Sequence, residues 1–239
     1  MMSKKKENFW IPYADLMTVL MVIFLFISLA YMGLVQIQKK QQDKIFEEYK
    51  ETKENLYNEL RETFKNDFQK WNLELDKDLS IKFTNPNVLF QSGKSEITPI
   101  FRQILTDFFP KYLSVITQEK YKDKIAEIRI EGHTDDVPIH KTADPYIDNI
   151  QLSQDRSRNV LQFLRGQPAY INLPVNKEQL LQFWLTANGL SYGRTLDADK
   201  KLTYNTKHPV DKEKSRRVEF RIVTTSELLV EKVIGQLNK

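Results

Sequence analysis

At 239 residues, with 36 basic and 32 acidic side chains and a formal net charge of +4, the chain has room for one ordinary domain with extensions, or for two small ones. Hydrophobic residues at 41% and aromatics at 11% exclude a wholly disordered chain, and 7 glycines with 9 prolines exclude collagen or a low-complexity tether. The absence of cysteine excludes disulfide scaffolds, thiol nucleophiles and cysteine-ligated zinc or iron–sulfur centres, and a mean hydropathy of −0.51 excludes a polytopic membrane protein.

Leu16 to Val35 is a run of twenty residues without a formal charge, seventeen of them apolar. At about 1.5 Å per helical residue it spans roughly 30 Å, one bilayer core. A secretory signal has an apolar region of only roughly 7–15 residues with a small-residue cleavage site behind it. Here apolar chain continues past Ser28-Leu29-Ala30-Tyr31. The expected element is an uncleaved transmembrane helix over residues 9–35. Lys4, Lys5 and Lys6 precede it and no comparable cluster follows, which places residues 1–8 in the cytoplasm and the remainder outside. Phe9, Trp10 and Tyr13 suit the cytoplasmic interface.

Asp15 stands at the edge of this run. One reading is an interfacial carboxylate, or a cap following Pro12. The other is an ion carrier, because a carboxyl group enclosed by partner helices takes up and releases protons near neutral pH. Thr18, three residues on, shares its face. A lone span cannot seal a pathway, so the second reading demands a membrane partner. The stretch Phe9-Trp10-Ile11-Pro12-Tyr13-Ala14-Asp15-Leu16-Met17-Thr18 resembles the transmembrane helix of MotB-type stator subunits. That resemblance implies ion binding at Asp15.

From Leu34 to Asn85 there is neither glycine nor proline, and residues 36–79 carry 9 basic and 11 acidic side chains. Ile45, Tyr49, Leu56, Leu60, Phe64, Phe68, Trp71 and Leu75 recur at close to helical spacing. This predicts a helical stalk over 36–79, paired in parallel with a second copy. A period slightly above 3.5 makes that pair nearly straight or weakly right-handed.

Beyond it the texture changes to mixed strands and helices, an α+β sandwich. Strands are expected at Ser80–Thr84, Val88–Phe90, Ile125–Glu131, Leu185–Asn188 and Arg217–Val223. Helices are expected at Pro99–Ile116, at Leu152–Arg165 with Ser153 as N-cap, at Gln179–Trp184, and at the C-terminus over 226–239. The stretch Glu131-Gly132-His133-Thr134-Asp135-Asp136-Val137-Pro138 is followed by Asn149-Ile150-Gln151-Leu152-Ser153-Gln154-Asp155-Arg156 and, near the end, by Arg216-Arg217-Val218-Glu219-Phe220. Together these resemble the OmpA-like peptidoglycan-binding domain over residues 80–225. The resemblance implies that Asp135 and Arg156 grip the diaminopimelate of the wall peptide, with Asn149 and Leu152 shaping the pocket. The chemistry agrees: a zwitterion needs an acceptor for its ammonium and a forked donor for its carboxylate. Ser215 departs from the asparagine that family members often carry there, and the loop Ile139–Asp148 is longer than in the smallest such domains.

His133, His140 and His208 lack metal-ligand spacing, and no phosphate loop or nucleophile elbow is present. No metal, cofactor, enzymatic activity or direct nucleic-acid binding is expected. The resemblances imply one transmembrane helix, a stalk and a periplasmic OmpA-like domain. They imply an inner-membrane, wall-bound subunit of an ion-driven motor; the expected ion is a proton, because a carboxylate with few nearby oxygen ligands suits a proton better than sodium. A homodimer would sit inside a ring of a multi-span MotA/ZorA-like partner, five copies around two. The N-terminal signature and charged stalk most resemble ZorB of Zorya anti-phage systems, with cytoplasmic defence effectors downstream. A flagellar MotB-type stator and a passive wall tether are the alternatives.

Overall fold

In the computed structural model, residues 10–237 are described. The basic segment 1–8 and Phe9 lie outside the described residues. The chain divides into two units, 1–47 and 48–239.

One helix, α1 (Trp10–Phe64), runs through the first unit and into the second. In the first unit its side chains are largely exposed from Leu16 to Val35. Its most apolar 18-residue window has a mean hydropathy of 2.5 and is nowhere buried. This is the length and composition of a membrane span.

In the second unit α1 meets a core. Leu56, Leu60 and Phe64 are fully buried, and Phe64 stacks on Phe108 with ring centroids 5.0 Å apart. The expected helix to residue 79 therefore stops early. Phe64 is followed by a turn in which the Asp67 amide bonds the Phe64 carbonyl. A short helix α2 (Phe68–Trp71) then ends at Asn72 in the left-handed conformation, at φ 50°. Leu75 lies in a strand, not on a stalk stripe. The seam assigned to a partner helix is, from Leu56 onward, packed into the chain's own domain. Glu59 fastens it by accepting from Lys120, Tyr121 (3.0 Å) and Gln118 (3.0 Å). Burial alone would raise the Glu59 carboxyl, but these donors outweigh it and hold the group below its ordinary value.

The sheet contains β1 (Leu73–Leu75), β2 (Ser80–Phe83), β3 (Ile125–Gly132), β4 (Leu185–Gly189) and β5 (Val218–Thr224), in the spatial order β1-β2-β5-β3-β4. Only β3 and β4 run parallel; the other neighbours are antiparallel. A parallel neighbour needs a long crossover. Here it consists of α5 (Pro145–Arg165), α6 (Pro168–Ile171) and α7 (Val175–Trp184). Between β2 and β3 come α3 (Pro86–Leu89) and α4 (Pro99–Ile116). Between β4 and β5 lie α8 (Thr203–Thr206) and α9 (Lys212–Ser215), and α10 (Thr225–Leu237) ends the described chain. The core centres on Phe108 of α4, whose ring lies 5.1 Å from Phe83 and 5.2 Å from both Tyr112 and Phe220.

Three local expectations change, the simplest being that the helix expected from Gln179 already begins at Val175, behind Pro174. Val88–Phe90 is not a strand: Pro86 starts a single helical turn, and only Phe90 forms a bridge, with Ile97. The helix expected from Leu152 begins at Pro145. Its cap is Asp144, which accepts from the Tyr146 amide at 2.9 Å. Ser153 lies mid-helix, its hydroxyl donating to the Ile150 carbonyl and accepting from the Ser191 amide.

Candidate ligand groove

The groove is built where α5 crosses the ends of β3 and β4. Gly132 and Gly189 end these two strands and face each other in register. A Cβ on Gly132 would lie 2.2 Å from the Ser153 carbonyl oxygen, and one on Gly189 2.4 Å from the Gln154 nitrogen. Only glycine lets the helix approach so closely. Gln154 then locks the contact, accepting from the Gly189 amide at 2.7 Å and donating to the Ala187 carbonyl at 3.0 Å. This seat brings Leu152 and Arg156 of α5 beside Asp135, in the loop after β3.

A cleft of about 350 Å³ results, and Asp135, Asn149, Leu152 and Arg156 all line it. The structure thus gathers the four residues that the sequence nominates for wall binding. Each has a definite task. Asp135 Oδ1 accepts from the Val137 amide at 3.2 Å, which turns the loop. Asn149 donates to the Val137 carbonyl at 3.2 Å and the Pro145 carbonyl at 3.1 Å, tying that loop to the start of α5. Leu152 supplies an apolar wall and is buried. Arg156 donates from Nε to the Lys94 carbonyl at 2.9 Å, and its guanidinium lies 4.9 Å from the Phe90 ring centre. Burial pushes Arg156 down to about 10, against the attraction of Asp135, so it remains a cation at neutral pH.

The neighbouring Asp148 holds the outer rim. Its carboxylate accepts from the amides of Lys141 and Thr142, each at 2.8 Å, and the Thr142 amide foremost keeps it below its ordinary value. The long loop Ile139–Asp148 is therefore pinned at its middle.

Sequence reasoning missed Arg216. It lines the cleft, with Nε 3.6 Å from Asp135 Oδ2. The Arg216-Arg217 pair stood out in the sequence, but nothing there says which member faces the groove. Arg217 turns inward, donating to Glu219 at 2.5 Å and to the Ser215 carbonyl at 3.0 Å. Ser215, the position that departs from the expected asparagine, accepts from the Leu196 amide at 2.9 Å. Ser92 and Gly93, also in the lining, carried no signal.

Behind the groove, His133 faces Glu131 at 3.6 Å and Glu219 at 3.5 Å rather than the two aspartates that follow it. Donor atoms of these three lie within 4.8 Å of one another, a spacing that a metal ion can bridge. Arg217 and Arg194 already stand against the two glutamates, so the cluster is charge-balanced without a cation. Burial foremost, and then Arg217, lowers the His133 pKa. His140 and His208 are exposed, the latter 3.2 Å from Asp197.

Asp15 and Thr18 belong to the first unit, both exposed on α1. The Thr18 hydroxyl donates to the Ala14 carbonyl at 2.6 Å and reaches the Asp15 carbonyl at 3.0 Å, so its bonds go to the backbone rather than to the Asp15 carboxylate.

Residues 89–196 match the OmpA family. Over 98% of its length the chain is 36% identical to Zorya protein ZorB of Escherichia coli strain Crooks, covering 96% of that protein. It is 28% identical to Zorya protein ZorB of Escherichia coli O139:H28, over 92% of this chain and 82% of that one. Among solved structures, a MotB-like protein from Desulfovibrio vulgaris superposes with a TM-score of 0.47 at 26% identity, over 73% of this chain and 95% of that one.

Proposed function

This chain belongs to the Zorya ZorB family, and from that membership we propose that it is the wall-anchored, stator-like subunit of a proton-driven motor in the inner membrane. The observation that carries the anchoring half is the groove itself. Asp135, Asn149, Leu152 and Arg156, drawn from a loop and a helix, converge on one cleft with a carboxylate and a guanidinium in its lining. That pairing suits the ammonium and carboxylate of a diamino acid in a wall peptide.

The motor half rests on α1. In this reading the basic N-terminus stays in the cytoplasm, the apolar segment crosses the bilayer once, and the second unit lies in the periplasm. Two copies stand inside a ring of five multi-span MotA/ZorA-like partners. Asp15, at the edge of the span, takes up a proton inside that ring and releases it to the other side. Each proton moved through 100 mV supplies about 2.3 kcal/mol. The outer domain holds the pair against peptidoglycan, so the ring turns while the anchored pair stays fixed. Cytoplasmic defence effectors receive the motion. The chain acts as a motor subunit, not an enzyme.

A membrane pull-down of tagged wild type beside Asp15→Asn tests this. Both are expected to recover a multi-span ring around two copies, while Asp15→Asn abolishes anti-phage protection. Full protection by Asp15→Asn, or recovery of the chain alone on wall fragments, refutes the motor and leaves a passive tether. Flagellar components in the ring would instead assign the chain to motility.

A further inference from the structure

Two charged atoms of the groove are buried without a hydrogen-bond partner among the described residues: Asp135 Oδ2 and Arg216 Nε. They face each other at 3.6 Å, whereas a charge-assisted bond closes to about 2.7–2.9 Å. The pair attracts without bonding, and each atom keeps a direction open. Buried polar atoms left in this state cost free energy that a ligand can return.

Arg156 is committed elsewhere. Its Nε holds the Lys94 carbonyl, its Nη2 reaches the Gln91 carbonyl at 3.5 Å, and its face covers Phe90. One edge of its guanidinium thus belongs to the loop around Ser92 and Gly93. Arg216 has no such duty. Its side chain is 32% exposed, reaching from the buried Nε toward the open cleft.

The charges in the lining are Asp135, Arg156 and Arg216, a net of one positive. A simple zwitterion would leave that charge uncompensated. A ligand with one ammonium and two carboxylates neutralises it.

We propose that Arg216 is a second carboxylate-gripping residue of the groove, and that it selects wall peptides ending in a diamino diacid with its side-chain carboxylate free rather than amidated. The ligand ammonium takes the place of Arg216 beside Asp135 Oδ2. Arg216, released from that loose contact, closes on the side-chain carboxylate together with the uncommitted edge of Arg156. This deepens the wall-anchor reading and rests on it.

The test is calorimetry on the full chain in detergent micelles, with two probes. One is a stem tripeptide ending in meso-diaminopimelate; the other is the same tripeptide with the side-chain carboxylate amidated. Wild type is expected to bind the acid about tenfold or more tightly than the amide. Arg216→Gln is expected to bind the acid about tenfold more weakly and the amide unchanged, so that discrimination collapses. Arg216→Lys, which keeps the charge and loses the fork, is expected to recover part of it. An unchanged melting temperature for either variant confirms a folded groove. Equal loss for both peptides in Arg216→Gln, or no loss, overturns the assignment. If wild type binds both peptides equally, the wall anchor stands and the role of Arg216 falls. If wild type binds neither, the wall anchor fails and this proposal falls with it.

Discussion

Phe64→Ala tests whether the end of α1 belongs to the outer domain or to a dimer seam. Phe64 is 1% exposed, stacks on Phe108 and shares a core with Leu56 and Leu60. Truncating a buried phenylalanine costs about 3–5 kcal/mol, the lost transfer energy plus the cavity left behind. For a domain of this size each kcal/mol lowers the melting temperature by about 2–4 °C. The expected drop is therefore about 6–20 °C. It is read by tryptophan fluorescence of the full chain in detergent, since Trp71 and Trp184 are buried in the same core. An interaction within one chain gives a drop that does not depend on protein concentration. A seam between two chains gives a melting temperature that rises with concentration and a variant whose deficit shrinks as protein is added. A concentration-dependent deficit, or a drop below about 3 °C, would refute the packing argument.

Gly132→Ala places a methyl group 2.2 Å from the Ser153 carbonyl and forces α5 off the strand ends. We expect a loss of about 1–3 kcal/mol in stability together with loss of stem-peptide binding; a wild-type melting curve with wild-type binding would show that α5 tolerates the shift. The third prediction concerns pH. Asp148 is held below its ordinary value by the Thr142 and Lys141 amides, so its contribution is full above about pH 4 and is lost as the pH falls through the depressed folded value. Hydrogen exchange at Lys141 and Thr142 should therefore stay slow from neutral pH down to about pH 4 and accelerate only below it. In Asp148→Ala, which removes the acceptor of both amides, protection should be lost at every pH, and retained protection in that variant would mean that the loop is pinned by something else.

The local pattern of the fold was legible wherever a single element satisfies its own periodicity. Pro99 at the start of an amphipathic run marks α4, which spans Pro99–Ile116 as expected. The alternation in Val218, Phe220 and Ile222 marks β5. Legibility ended where the partner of an apolar face had to be known. Leu56, Leu60 and Phe64 form the same stripe whether a second helix or the sheet of the same chain covers it, because helical period reports a face and not its occupant. The start of α5 was hidden for a different reason. Ser153 has the residue type of a cap, and its true function, bonding the Ser191 amide across 38 residues, has no local signature.

The groove shows a similar division between residue type and use. Asp135 and Arg156 could be named from the sequence because each lies in a motif with a fixed neighbourhood. What each atom does was not legible. The motif assigns Arg156 to the ligand, yet its Nε and its guanidinium face are spent on Lys94 and Phe90, backbone and core contacts 62 residues or more away in sequence. Five donors on one planar group allow both duties, since an edge and a face can serve the fold while the other edge serves a ligand. The consequence is that Arg156 variants confound binding with loop order. Arg216, adjacent to an arginine that is wholly structural, separates the two: its loose contact with Asp135 leaves the fold little to lose and the ligand a carboxylate to gain.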